Sequence, residues 1–362
     1  RGVVAGVVVP RQRLDRALSV SEDHGATNSA VRLLTDAAGF GHTVLPQDVV
    51  LRTASQVDVD SALADLAIVE VDWQSRPAWA LSDVAESEEL LADGLAVLAS
   101  ENRLAVVAGP DPGGRRLALA RATGTGVPTV VLDEAHRVGL DETLAAVEDL
   151  PEDAVLVLSL DNALPLAHGV VGAVALDVAA SGICPVLVGD SERDDRALGV
   201  QRAAVATGRW ATTPADDRSL VVVPTASPDE ALVRIGQLVS TSIPRAFGHV
   251  PDDVVVVVVE PSGPVGVDAV RAALASAEGT GAAEVVTLAD LGDRMAPSAV
   301  LVLPGAATAA VTRASVYAGL RAGRDHVSVV HGFGSDAAGL VELVSTTTDR
   351  PRRTRLAALL RD

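Results

Sequence analysis

The side chains best suited to chemistry in this 362-residue chain lie in two neighbouring stretches, AVVAGPDPGGRR (Ala105–Arg116) and VVLDEAH (Val130–His136). An apolar strand that runs into glycines and then a helix has the outline of a phosphate-binding loop. In such a loop backbone N–H groups cradle phosphate, a lysine reaches the β and γ oxygens, and the next hydroxyl holds Mg²⁺. Gly109 and Gly114 occupy the glycine positions of that pattern, Arg115 the lysine position and Arg116 the hydroxyl position. Arg115 keeps a charge that can meet phosphate, although a planar guanidinium does not substitute freely for an ammonium. Arg116 cannot ligate a cation. Asp133 and Glu134 end an apolar strand, where an Asp can support Mg²⁺ and a Glu can orient water for attack on a γ-phosphate. The plainer reading of the pair is a strand end that caps the next helix and faces solvent.

The elements that must position these groups follow from composition. The chain is long enough for two or three domains, each burying its own core. It is 48% hydrophobic and only 2% aromatic, which suits helices packed on buried parallel strands. A formal charge of -19 argues against a surface that wraps nucleic-acid phosphates over a large area. The single cysteine, Cys184, excludes an internal disulfide, and the histidines show no ligand spacing, so no metal site is expected. The opening RGVVAGVVVPRQR mimics a signal peptide for a few residues but has no small-residue cleavage site, and reads as an internal fragment end. The six valines Val254–Val259 are far too few to cross a bilayer. A soluble, cytoplasmic protein with no membrane partner is expected.

Three regions separate along the chain. Residues 1–100 read as helical with a short hairpin, VDWQSRPAWALSD, and with a helix over GHTVLPQDVVLRTAS: a small winged-helix-like domain. Residues 101–205 alternate strands (RLAVVAG, PTVVLDE, DAVLVLSLD, ICPVLVGD) with helices, and residues 206–362 repeat that rhythm. The fold expected is therefore α/β, two parallel-sheet domains in tandem with ligands at the carboxyl ends of the strands. The G-x-G of ATGTGVP precedes a strand and opens no helix, so it reads as a turn and not as a dinucleotide site.

From about residue 30 onward the chain resembles the RecD-like family of superfamily 1 DNA helicases. GHTVLPQDVV is similar to that family's GHxxLPxxxL segment, and the run from VVLDEAH to ICPVLV to its Walker B to motif III stretch. IPRAFGHVPDDVVVVVVEPSG and PSAVLVLPGAATAAVTRASVYAGLRAGRDHVSVV are similar to the two ends of its second motor domain. The resemblance implies two RecA-like domains and a helix-hairpin-helix region upstream. Most residues that carry the family's chemistry are nevertheless replaced. Motif III, GDxDQLP, reads SLDNALP here, with Ala163 at the γ-phosphate-sensing Gln; the arginine expected after PVLV falls on Asp194, beside Arg193. TVHKxQG reads TLADLGD, and YTAxTRA reads YAGLRAG, with Ala322 at the arginine and Arg321 displaced by one. The adenine-recognition segment, the strand-separating pin and the SH3-like insertion are also reduced to short connections.

The reading that results is a catalytically degenerate helicase core that acts as a DNA-binding or protein-interaction module in repair, recombination or replication, with no cofactor. Asp133, Glu134, Gly109, Gly114 and Arg115 are then remnants of the nucleotide site. Arg321, Arg324, Arg352 and Arg353, with the rest of the RPRRTR tail, are the basic candidates for DNA, and a protein partner suits the acidic charge. The alternative is a slow DNA-dependent ATPase or 5'-3' helicase that binds ATP and Mg²⁺ with Arg115 in place of lysine.

Overall fold

The computed structural model describes residues 28–361 apart from 111, 124–126, 166–168, 190–193, 213, 215, 278–282, 293, 306–307, 309, 335–337 and 347–351. RGVVAGVVVPRQR, Arg193, Arg350 and the middle of ATGTGVP lie outside the described residues.

Asn28 starts the first helix, α1 (Ser29–Gly39), its Oδ1 accepting from the N–H groups of Ala30 and Val31. Then come β1 (Leu45–Pro46), the single turn α2 (Gln47–Val50), α3 (Gln56–Ala64), the hairpin β2 (Ile68–Asp72) and β3 (Pro77–Leu81), and the long α4 (Ser82–Ser100). The strands pair antiparallel in the order β1-β3-β2 and pack with α1 to α3. Leu34, Leu45, Val50, Val59, Ile68 and Trp79 form their core. The helix expected across GHTVLPQDVVLRTAS is broken. Pro46 has no N–H to donate and sits at ψ 143°, so Leu45 and Pro46 lie extended against Trp79 and Ala78 instead.

The first parallel sheet is built from β4 (Leu104–Ala108), α5 (Pro112–Thr123), β5 (Thr129–Leu132), α6 (Leu140–Glu148), β6 (Val155–Leu160), α7 (Val174–Ser181) and β7 (Val186–Val188), with strand order β5-β6-β4-β7. The second contains α8 (Ala197–Ala206), β8 (Leu220–Pro224), α9 (Pro228–Gln237), α10 (Ile243–Phe247), β9 (Val254–Val258), α11 (Val267–Ser276), β10 (Glu284–Thr287), α12 (Leu288–Leu291), β11 (Ala296–Val302), α13 (Arg313–Arg321), β12 (Gly323–His331) and α14 (Ala338–Thr346). Its strand order is β10-β9-β11-β12-β8, parallel throughout. All five valines of β9 are buried, as expected for a strand covered on both faces. The fold is thus α/β with two parallel sheets.

A last turn, α15 (Leu356–Leu359), closes the chain. By packing the chain divides into two units. The first holds the residues up to Asn162, those from Leu166 to Glu192 and those from Pro351 onward; the second holds Ala163–Pro165 and Arg193–Arg350. Leu356 and Leu360 join the core of the first sheet beside Leu91, Leu95 and Val178. Among the described residues no helix is long and apolar enough to cross a membrane.

One side chain contradicts its surroundings. Gln201 on α8 is 0% exposed, and neither its amide nitrogen nor its oxygen has a hydrogen-bond partner. An unpaired buried amide costs about 1–3 kcal/mol. Gln201→Leu is therefore expected to raise the stability of the second unit by about 1 kcal/mol or more, read as a later midpoint in urea unfolding; an earlier midpoint would mean the amide is bonded after all.

Candidate nucleotide site

The loop after β4 is held by close backbone approach. Gly109 has φ +155°, and a Cβ there would lie 3.1 Å from the carbonyl of Gly189, just beyond β7. A Cβ on Gly189 would in turn lie 2.7 Å from the backbone nitrogen of Arg115. Only glycine pairs allow this contact. Gly109 N–H donates to Leu160 O at 3.1 Å and Gly189 N–H to Ala108 O at 2.8 Å, tying the loop to the ends of β6 and β4. Gly114 is buried at the start of α5.

Arg115 turns into this loop. It is 3% exposed; its Nη1 donates to Gly109 O at 2.7 Å and its Nε to Ser159 Oγ at 3.1 Å, while Nη2 stands 3.7 Å from Asp133 Oδ1. Ser159 Oγ donates to that same Oδ1 at 2.8 Å. The strand order explains the geometry: β6 lies between β4 and β5, so Ser159 on β6 bridges the glycine loop to the acidic strand end. The chain of contacts runs Gly109, Arg115, Ser159, Asp133.

A Mg²⁺–nucleotide needs a cation turned toward phosphate and oxygen ligands for the metal. Here the guanidinium is turned toward the protein's own carbonyl, Asp133 Oδ1 is occupied, and Arg116 is exposed and offers no oxygen. These residues do not fit that group as a working loop does.

Glu134 is strained, in the left-handed region at φ 52° and ψ 41°, a conformation that costs a non-glycine residue about 1 kcal/mol. Its Oε1 is shielded from solvent without a partner. The pair does not cap α6: a 3₁₀ turn, Ala135–Arg137, intervenes, and Glu142 accepts from Gly139 N–H at 3.4 Å instead.

The remaining sequence candidates are dispersed. Asp194 binds Arg196 at 2.9 Å, a bond that holds its carboxyl below the usual range. Arg324 is exposed and pairs with Asp325 at 3.3 Å, and Arg321 lies half-buried at the end of α13. Ala322 is fully buried. Arg202, which the sequence did not single out, donates to Leu320 O at 3.0 Å and to Gly323 O, closing the C-terminus of α13; burial lowers its pKa to about 10.

In the tail, Arg352 Nη1 donates to Val170 O at 2.6 Å and also to Gly172 O. Arg353 uses its backbone: its carbonyl accepts from Thr43 N–H at 2.8 Å, and its N–H donates to His42 Nδ1 at 2.9 Å. Arg355 is buried against Glu88, 3.1 Å from Nε to Oε2, and reaches Glu89 at 3.0 Å and Ala85 O at 3.1 Å. Ser159 and Glu88 are the residues that motif reading missed, and Arg355, read with the tail as a candidate for DNA, is engaged inside the protein.

No family model and no curated protein sequence matches the chain. Among solved structures it is similar to the arterivirus nonstructural protein 10 helicase, at 11% identity and TM-score 0.34 over 76% of this chain and 73% of that one. It is similar also to that arterivirus helicase in complex with DNA, at 11% identity and TM-score 0.34 over 76% and 74% of the two chains.

Proposed function

We propose that the chain is a catalytically degenerate helicase core of the RecD-like kind, acting as a binding module in a DNA repair, recombination or replication assembly. The observation that carries the reading is Arg115, folded back on Gly109 O and Ser159 with its charge beside Asp133. The cation that should meet phosphate is engaged inside the protein, and the replaced motif residues at Arg116, Ala163 and Ala322 agree with it.

A protein partner accounts for the surface better than DNA does. In DNA-binding helix-turn-helix modules the second helix of the motif enters the major groove. Here α3 carries Asp58 and Asp60 and no arginine, in a chain of net charge -19. Carboxylates in that position repel phosphate and suit a basic protein surface.

The test is equilibrium binding of a fluorescent ATP analogue with Mg²⁺, with and without single-stranded DNA, beside the double variant Arg115→Ala, Glu134→Gln. Neither protein is expected to show saturable binding at high micromolar nucleotide. Saturable binding by the wild type that the double variant loses would overturn the reading in favour of a slow DNA-dependent ATPase.

A further inference from the structure

The last residues of the chain form a strap across the first unit. From Arg352 to Leu356 they run past four separate elements. Thr43 and Val44, just before β1, donate their N–H groups to Arg353 O at 2.8 and 3.3 Å, and Trp73 in the β2–β3 turn donates Nε1–H to Thr354 O at 3.1 Å. On α4, Glu88 Oε1 accepts from the N–H groups of Arg355 and Leu356 at 2.7 and 2.9 Å. On α7, Asp177 Oδ1 accepts from Thr354 Oγ1 at 3.1 Å. The module of α1 to α3 and β1 to β3 and the first sheet are stitched together by these five residues.

Asp177 is the incomplete stitch. Its Oδ2 is shielded from solvent and has no partner, and among the described residues no arginine donates to either oxygen, unlike Glu88, which has the Arg355 guanidinium. An ionised carboxylate in that position has one neutral hydroxyl to replace its water, whereas the protonated acid has far less solvation to lose. We propose that the strap is a pH-sensitive latch, seated when Asp177 carries a proton and loosened when Asp177 ionises.

The groups brought in by the neighbouring elements are consistent with this. The strap contributes Arg352 and Arg355; α4 contributes Glu88, with Glu89 beyond it; the 3₁₀ turn contributes His136 and Arg137; β4, β6 and α15 carry no titratable side chain. Desolvation dominates and raises the Asp177 pKa to about 7; the Thr354 bond and Arg352 oppose it, and Glu88 adds to it. The sign follows. The seated form holds the proton more tightly than the released form, whose Asp has an ordinary value, so seating is favoured at low pH and lost as pH rises through 7. His42 acts oppositely: burial and then Arg353 and Arg352 lower its pKa, and protonation would remove the acceptor that its Nδ1 offers to Arg353 N–H. The two groups oppose each other where both titrate, so His42 offsets part of the Asp177 effect, and the Asp177 contribution is fullest below the ordinary aspartate value.

Hydrogen exchange of the intact chain, read by mass spectrometry on peptides covering residues 40–46 and 352–361 and corrected for the intrinsic pH dependence of exchange, tests the latch. With a seated value of about 7 and an ordinary released value, Asp177 alone lowers protection about tenfold between pH 6 and pH 8, and His42 offsets part of this, so a net fall is expected. The β4 peptide is expected not to change. In Asp177→Asn, which keeps an acceptor for Thr354 and cannot ionise, protection should be flat or rise with pH as His42 alone titrates. A wild-type seam with no pH dependence, or an Asp177→Asn protein with the same fall as the wild type, would overturn the proposal.

Discussion

Replacing Glu88 by alanine is expected to cost the first unit about 3–5 kcal/mol, the range for breaking a buried ion pair by removing one partner. Glu88 is 0% exposed, and its two oxygens accept from Arg355 Nε, Arg355 N–H, Leu356 N–H and Thr43 Oγ1. Deleting the carboxylate leaves two backbone N–H groups and part of a buried guanidinium unpaired at once, while Thr43 Oγ1 keeps Arg353 O at 3.3 Å. Glu89 and Ala85 O keep the other two guanidinium nitrogens, so the arginine is not wholly abandoned. Glu88→Gln should cost less, because its amide oxygen can still serve the two backbone N–H groups. Urea unfolding followed by circular dichroism would show both midpoints earlier, the alanine variant more so. If both variants unfold with the wild type, the pair does not anchor the tail.

Arg115→Ala is expected to lower stability by about 2–3 kcal/mol and to leave nucleotide titrations unchanged from the wild type. Charged hydrogen bonds of this kind contribute about 1.5–3 kcal/mol each, but Asp133 is 45% exposed and 3.7 Å away, so its attraction is largely screened. The loss therefore comes mainly from Gly109 O and Ser159, which would lose their shared donor in a dry site. A working phosphate loop gives the opposite pattern, since its lysine is exposed to the ligand and serves binding more than folding. Thermal unfolding and nucleotide titration on the same preparation separate the two. An unchanged midpoint would mean that Arg115 is not structural.

The strands were legible in the sequence because their chemistry is local: runs such as Val254–Val258 can only be strands buried on both faces. The glycine loop was legible as a strand-to-helix turn for the same reason. The direction of Arg115 was not, because it depends on β6 entering the sheet between β4 and β5, a long-range choice that no spacing encodes. The one hint was Ser159, a hydroxyl at the end of the otherwise apolar VLVLSL. Glu88 gave a stronger hint. Ala85, Leu91, Ala92, Leu95 and Leu98 make the buried stripe of α4, and Glu88 falls in it at helical spacing. A carboxylate there demands a buried cation, but nothing in the spacing says that the cation lies 267 residues away. The missed break at Pro46 is a local error of another kind, in which helical periodicity outweighed a residue that cannot donate.

The course of the backbone has a consequence for biosynthesis. The first unit is interrupted by Arg193–Arg350 and completed only by the residues after them. A ribosome therefore makes Glu88, Trp73 and Asp177 well before their partners Thr354, Arg355 and Leu356. At ~5–20 residues per second, the intervening stretch of about 160 residues takes roughly 10–30 s to emerge. Through that interval the nascent first unit keeps an open seam with an unneutralised glutamate, while the second unit folds as an insertion within it. A chain that stops before Arg352 contains every strand of both sheets and cannot close that seam.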